Sequence, residues 1–365
     1  MLPFILPPLA LGALGFAAWR AIRNLEGEDL SRHMVVPDAP FREGDRNSEG
    51  LARVDHYLIE NFIKPAQAAN AKSGWESKRE RFKQAGLART DLQAEYRDDV
   101  VEVDGVSVPG RWTLVEGYKA DRRILYLHGG AFTVGSDVSH RPLTVNLAHR
   151  TKAAVFAPNY RLMPENTRRD VIEDARASYR WIVDNGPDGS GAADSLAVAG
   201  DSAGGNLALM LANYARDAGL RAADAIYAIS PLVDSTANSP TFNGNLETDL
   251  MLQPLLRPLV NVPRPLLLLG MRKSLGVNPS DPDVSPVFAD LSGLPPTLLQ
   301  VSSTEMLYGD AVRYVNKMRA AGGEVVLQDW SHMPHVFPIF DDQLAEARDA
   351  LDLAGEFLLA NMNGG

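Results

Sequence analysis

The chain has 365 residues, 45% hydrophobic and 22% charged, enough to bury a sizeable core in one large α/β domain or two smaller ones. Its formal net charge is −10 and its Lys and Arg residues are scattered, which argues against nucleic acid as a partner. It contains no cysteine, so disulfides, thiolate zinc sites and cysteine nucleophiles are excluded.

Residues 1–19 carry no charge, and the first basic residues, Arg20 and Arg23, follow them. A stretch of that length is about the minimum for a helix to span a bilayer. A secretory signal puts its positive charge before the apolar run; here the charge comes after, which favours a cytoplasmic main domain. Against a span, Pro3, Pro7 and Pro8 disturb the first turns. A signal anchor, an apolar helix lying on a membrane or packed on the domain, and a poor signal peptide all fit, and the first is preferred. The expectation is membrane association through residues 1–23 with a cytoplasmic main domain; a soluble cytoplasmic protein is the alternative.

Residues 24–50 read as a polar lead-in. Leu51, Val54, Leu58 and Phe62 recur at helical spacing and predict an amphipathic helix ending near Pro65. A second helix is predicted from about Trp75 to Leu87. Residues 100–108 alternate around Asp104-Gly105, a hairpin signal. From there apolar runs of strand length at 124–127, 153–157, 196–198, 225–229, 297–301 and 325–327 alternate with helical stretches, notably 168–184, 206–218, 310–321 and 342–360. That alternation predicts a mostly parallel sheet covered by helices on both faces. Residues 235–290, rich in Pro, Asn, Ser and Leu, are too long for a simple connection and read as an insertion above the sheet.

Gly200-Asp201-Ser202-Ala203-Gly204-Gly205 falls between a strand-like run (195–199) and a good helix former (206–212). A G-x-S-x-G in that context is a nucleophile elbow, a sharp turn that lifts a serine hydroxyl out of the sheet edge. A serine attacks only if a base removes its proton, an acid orients the base, and the oxyanion meets preset donors. Of the seven histidines, only His332 and His335 lie after the last strand, where the chain order Ser, acid, His places the base. The two do not read as a metal pair, because Pro334 breaks the helix that would hold both on one face. The acid belongs just past the strand 297–301, where Glu305 and Asp310 both occur. Asp310 begins a helix and suits a first-turn role, so Glu305 is preferred. Ala203 supplies one backbone donor, and His128-Gly129-Gly130-Ala131-Phe132 supplies the others through Gly129 and Gly130. His128 itself is expected to order that loop.

These residues resemble the hormone-sensitive lipase family (bacterial family IV) of α/β-hydrolase carboxylesterases, over roughly residues 100–345. His128 to Phe132 resembles the family's HGGG-aromatic loop, Tyr160 to Glu165 its YRLAPE segment, Glu173-Asp174-Ala175 its following helix, and Gly200 to Gly205 its GDSAGG. The approach to the acid strand is matched by Ser285-Pro286 and 291–296. The family acid stands thirty residues before the histidine, which favours Glu305 with His335. Three positions depart from the pattern. Ala131 replaces the third glycine, and the oxyanion hole is expected to survive if φ is negative there. Asn159 stands where aspartate is usual, weakening a local charge pair. Glu305 stands where aspartate is commoner.

The resemblance implies an α/β-hydrolase fold with a helical cap. Residues 40–95 and 235–285 would form the cap, 96–234 and 286–365 the catalytic domain, and Leu250, Met251, Leu252, Leu255 and Leu256 would line an acyl pocket. It also implies a serine esterase acting on a small-molecule ester of short to medium acyl chain, with no metal or organic cofactor. A homodimer through the last strand and helix is expected by the same analogy. An amidase or acyltransferase with the same triad is the enzyme alternative. A non-catalytic ligand-binding module, which in this fold lacks the histidine, is the other.

Overall fold

The computed structural model describes residues 20, 22–67, 74–87 and 92–362. Among the described residues eleven strands are present: β1 (Arg42–Glu43), β2 (Glu95–Val103), β3 (Val106–Leu114), β4 (Lys119–Leu127), β5 (Ala153–Pro158), β6 (Asn185–Gly186), β7 (Gly189–Ser190), β8 (Ser195–Asp201), β9 (Ala225–Ile229), β10 (Thr297–Val301) and β11 (Val325–Ser331). Nine form one sheet in the order β1-β11-β10-β9-β8-β4-β5-β3-β2, while β6 and β7 make a separate small ribbon. Neighbours pair in parallel except β5–β3 and β3–β2. Every residue of β5, β8, β9 and β10 is buried, which is why these strands read as continuous apolar runs. The β2–β3 hairpin turns at Asp104 and Gly105, with φ of 52° and 81°, the two left-handed positions of a type I′ turn.

The helices are α1 (Glu49–Leu58), α2 (Trp75–Leu87), α3 (Arg141–Thr151), α4 (Arg168–Asp184), α5 (Ala203–Asp217), α6 (Pro240–Gly244), α7 (Gln253–Val260), α8 (Arg264–Leu275), α9 (Tyr308–Ala320) and α10 (Ala345–Met362). One face of the sheet is covered by α4, α5 and α9, the other by α3 and α10. A third cluster joins Leu51, Val54 and Leu58 of α1 to Met333, Phe337 and Phe340 after β11.

Two elements differ from the sequence expectation. The first helix runs through Pro65 to Gln67, where the described stretch stops. It widens into a π turn at Ile59–Ile63, whose end is marked by Lys64 N–H donating to Ile59 O, and then continues as an α turn at Lys64–Gln67. A wider turn absorbs the hydrogen bond that proline cannot make. Helix α3 has no predicted counterpart: eight of its eleven residues are buried, so it lacks a polar face and a readable period.

Among the described residues no helix is long and apolar enough to cross a membrane. The span expected at residues 1–19 lies outside the described residues.

Candidate active site

Strand β8 ends at Asp201 and α5 begins at Ala203, leaving Ser202 at the elbow with φ 51° and ψ −112°. A non-glycine residue there is strained by about 1–3 kcal/mol and persists only where its surroundings over-determine it. Here Ser202 N–H donates to Ile229 O at 2.8 Å, and Ser202 O accepts from Asn206 and Leu232. Gly204 permits the close approach: a Cβ there would lie 1.9 Å from Leu127 O.

His335 Nε2 lies 3.0 Å from Ser202 Oγ, and His335 Nδ1 lies 2.7 Å from Glu305 Oε2. A carboxylate only accepts, so Nδ1 carries the proton and Nε2 is left to accept from the serine. Glu305 Oε1 accepts from Ser302 N–H at 2.7 Å and from Ser230 Oγ at 2.9 Å. Both Glu305 and His335 are buried. Burial pushes the Glu305 carboxyl up, opposed by its bond to His335. Burial pulls the imidazole of His335 down, but the hydrogen bond and charge of Glu305 outweigh it and hold His335 above the ordinary value.

Sequence reasoning passed over the groups that fix this line. Ser230, immediately after β9, also accepts from Val336 N–H at 3.1 Å, joining the acid to the histidine loop. Ser302 Oγ accepts from Met333 N–H at 3.0 Å, and Thr304 Oγ1 donates to Met333 O at 2.9 Å. A hydroxyl at the carboxyl end of each strand was the available signal.

The competing candidates lie elsewhere. His332 Nε2 accepts from Arg46 at 2.8 Å on the surface. Asp310 accepts from the N–H groups of Val233 and Asp234 and pairs with Arg313 at 2.8 Å, which also pairs with Asp234. It fastens the loop after β9 to α9.

The loop expected to hold the oxyanion departs from expectation twice. Gly129 was expected to offer its N–H to the oxyanion, but that N–H donates to Asp201 Oδ1 at 3.0 Å, with His140 Nε2 at 3.2 Å. A donor turned back beneath the elbow cannot also face the serine. Among the described residues, no hydrogen bond takes the N–H of Gly130, Ala131 or Ala203. Ala131 has φ 52°, not negative, and Phe132 follows at 60°. The turn is closed by Gly130 O, which accepts from both Thr133 and Val134 at 3.0 Å.

Four contacts brace it. Tyr160 stacks on His128 at 4.2 Å, and its hydroxyl donates to His128 O. The Arg168 guanidinium lies 3.7 Å over the Phe132 ring. Phe132 O accepts from Met163 N–H at 2.8 Å. Arg79 of α2 donates to Thr133 O at 2.8 Å and Met163 O at 2.9 Å. Burial, with the nearby His140 adding, pushes His128 down to about 3, so it stays neutral and orders the loop. Asn159 does not weaken the region. It exchanges hydrogen bonds with Asp137, donating at 2.8 Å and accepting at 2.9 Å, where an aspartate would face a like charge.

Of the residues expected to line an acyl pocket, Leu250 and Met251 pack against the cluster that contains Leu58, Met333 and Phe337. Leu255 is 52% exposed.

A family model described as alpha/beta hydrolase fold matches residues 124–339. An acetyl-hydrolase of Streptomyces hygroscopicus is 36% identical over 238 residues, 65% of this chain and 75% of that protein. An esterase of Acinetobacter venetianus is 32% identical over 240 residues, again 65% and 75%. A solved esterase of the bacterial hormone-sensitive lipase family superposes with a TM-score of 0.72 at 31% identity, covering 87% of this chain and all (100%) of that one. With an elbow serine, a buried histidine and a buried carboxylate on one hydrogen-bonded line, the chain belongs to the α/β-hydrolase fold family, among the hormone-sensitive lipase esterases, and is a carboxylic ester hydrolase.

Proposed function

We propose that the chain hydrolyses short- to medium-chain acyl esters through an acyl-enzyme on Ser202. The observation that carries this is the line Ser202 Oγ, His335, Glu305, at 3.0 and 2.7 Å. Ser202 attacks the ester carbonyl as His335 Nε2 takes its proton. The imidazolium, stabilised by Glu305, returns that proton to the departing alcohol. Water, activated by the same histidine, then releases the acid. The N–H groups of Gly130, Ala131 and Ala203 receive the developing oxyanion, with Gly129 holding the loop from behind.

Residues 40–95 and 235–285 act as a two-part cap over a catalytic domain of 96–234 and 286–365. Two observations support this. Asn245 donates to the carbonyls of Ser303 and Glu305 at 2.8 and 2.7 Å, while Arg79 holds the oxyanion loop. Helix α7 packs against Ile59–Gln67, so the two parts touch. The uncharged stretch 1–19, followed by Arg20 and Arg23, supports membrane association with the body on the cytoplasmic side. β1 pairs only with residues 330–331, which leaves 325–329 of β11 as the edge along which two copies would pair.

The test is hydrolysis of p-nitrophenyl esters from acetate to palmitate by the wild type and by Ser202→Ala. The expected result is a maximum at short to medium chains and a loss of about 10⁵–10⁶ in kcat in the variant. Folded wild type inert on every ester would overturn the proposal.

A further inference from the structure

Arg168, the first residue of α4, is 1% exposed. Among the described residues its guanidinium forms no ion pair. Nη2 donates to Asn206 Oδ1, while Nε and Nη1 are buried with no hydrogen-bond partner. The carboxylates near it are taken by other cations. Asp170 and Asp174 of the same helix pair with Arg161 at 3.0 and 2.7 Å, and Asp283 pairs with Arg176 at 2.5 Å. Burial pulls the Arg168 guanidinium down to about 9, so it keeps its charge at neutral pH. The helices oppose that charge too. Arg168 stands in the first turn of α4 and is bonded to Asn206 in the first turn of α5, and a helix start is the positive end of its dipole. A buried cation with two unused donors and like-signed surroundings destabilises the resting protein, and such a group marks a candidate functional position.

Its contacts lie on both sides of the proposed oxyanion site. The guanidinium is 3.7 Å over the ring of Phe132, which follows Ala131 in the chain. On the other side, Asn206 N–H donates to Ser202 O at 3.0 Å, and Asn206 Nδ2 donates to Leu232 O at 2.7 Å. Leu232 N–H in turn donates to Ser202 O at 3.2 Å. One cation therefore joins the loop of Gly130 and Ala131 to the elbow that carries Ala203. We infer that Arg168 is a positioning residue for the oxyanion: it ties the loop at Phe132 to the elbow helix, and its uncompensated charge favours the negative charge that forms on the ester oxygen. The inference rests on the proposed acyl-enzyme reading and goes further, because bracing needs only a group of the right shape, whereas this role needs the charge. No carboxylate pairs with Arg168 in the resting chain; the tetrahedral intermediate supplies a negative charge only as the reaction proceeds, which is the differential stabilisation that lowers a barrier.

The test is hydrolysis of p-nitrophenyl butyrate by the wild type, Ser202→Ala, Arg168→Lys and two uncharged variants, Arg168→Met and Arg168→Gln, with thermal melting to report folding. Inhibition by butylboronic acid, which forms a tetrahedral anion on a reactive serine, is measured beside it. Two uncharged side chains of different shape keep the comparison open if one of them fails to fold. Each should lose about tenfold in kcat with KM within about twofold, less than the loss of a direct oxyanion donor, and should bind the boronic acid about tenfold more weakly. Arg168→Lys restores the charge without the planar fork, and should recover most of both. Equal losses in the lysine and uncharged variants would overturn the inference and leave the guanidinium a packing group. Unchanged kcat in a folded uncharged variant would overturn it as well, as would a rise in KM equal to the fall in kcat. A wild type inert on esters would remove the acyl-enzyme reading itself. A wild type that loses its activity with Ser202→Ala, beside fully active uncharged Arg168 variants, would overturn this inference alone.

Discussion

The two sides of the active site are held in place by different means. On the acid–histidine side the proposed working atoms belong to side chains, and Glu305 alone receives hydrogen bonds from His335, Ser302 and Ser230. On the proposed oxyanion side the working atoms would be main-chain N–H groups, in a loop with positive φ at Gly130, Ala131 and Phe132. A different part of the proposed cap braces each side. The 235–285 insertion reaches the acid loop through Asn245 and Asp249, the latter accepting from Met306 N–H at 2.9 Å; α2 reaches the oxyanion loop through Arg79. The contrast teaches that substitution removes the chemistry outright on one side and only re-aims it on the other.

Glu305→Gln should break the first side. We expect kcat to fall about 10⁴-fold with the protein still folded, because a neutral amide neither fixes the tautomer nor stabilises the imidazolium. The pH profile sharpens the assignment. The wild type needs neutral His335, so activity should fall as pH drops through a value above the ordinary imidazole pKa. In the variant the burial that pulls His335 down remains while the charge that raised it is gone. The acid limb of the residual activity should therefore move to lower pH. A limb that stays in place would deny Glu305 its part.

Asp201→Asn tests the second side without touching the triad. Asp201 accepts from Tyr126 OH at 2.6 Å as well as from Gly129, and holds the loop from beneath. Its loss should lower kcat by about 10–100-fold, less than the 10²–10³ of deleting a donor, with KM little changed. An equal rise in KM would point to a collapsed pocket instead.

Asp310→Asn is the control, five residues along the chain from the working acid. It should leave kcat nearly unchanged and alter stability with pH. Burial pushes Asp310 up from 3.8 to about 7, against the charge of Arg313. The folded protein then holds a proton that the unfolded chain has released across that window, so this group makes stability fall as pH rises from about 4 to about 7. In melts over the same range the variant should gain on the wild type with rising pH.

The sequence made the proposed covalent chemistry legible because Ser202, His335 and Glu305 would act through side chains whose identity is their function. Chain order then narrowed the partners. It could not separate Gly129 from Gly130, because two glycines differ there only in which way an N–H points, and that depends on the clamp at Asp201. For the fold, alternating apolar runs marked the six parallel strands from β4 to β11. Helix α3 escaped because it is buried nearly all round, and β1 because two residues carry no period. Ser230 and Ser302 escaped for a related reason: a serine at a strand end is common, and only its geometry shows that it ties two catalytic loops together.

The smallest expected effect separates strain from aim on the oxyanion side. Ala131 sits at φ 52°, where a Cβ costs about 1–2 kcal/mol. Glycine would remove that cost, but it also widens the unfolded ensemble by about 0.4–1 kcal/mol. Ala131→Gly should therefore stabilise the protein by about 1 kcal/mol or less, read as a small rise in melting temperature. The N–H is kept, so kcat should follow the aim of the loop alone. Unchanged kcat would mean that Arg168, Tyr160, Met163 and Arg79 suffice to hold Gly130 and its neighbours. A fall in kcat together with the gain in stability would show that the methyl group of Ala131 narrows the loop to one conformation, its strain serving pre-organisation.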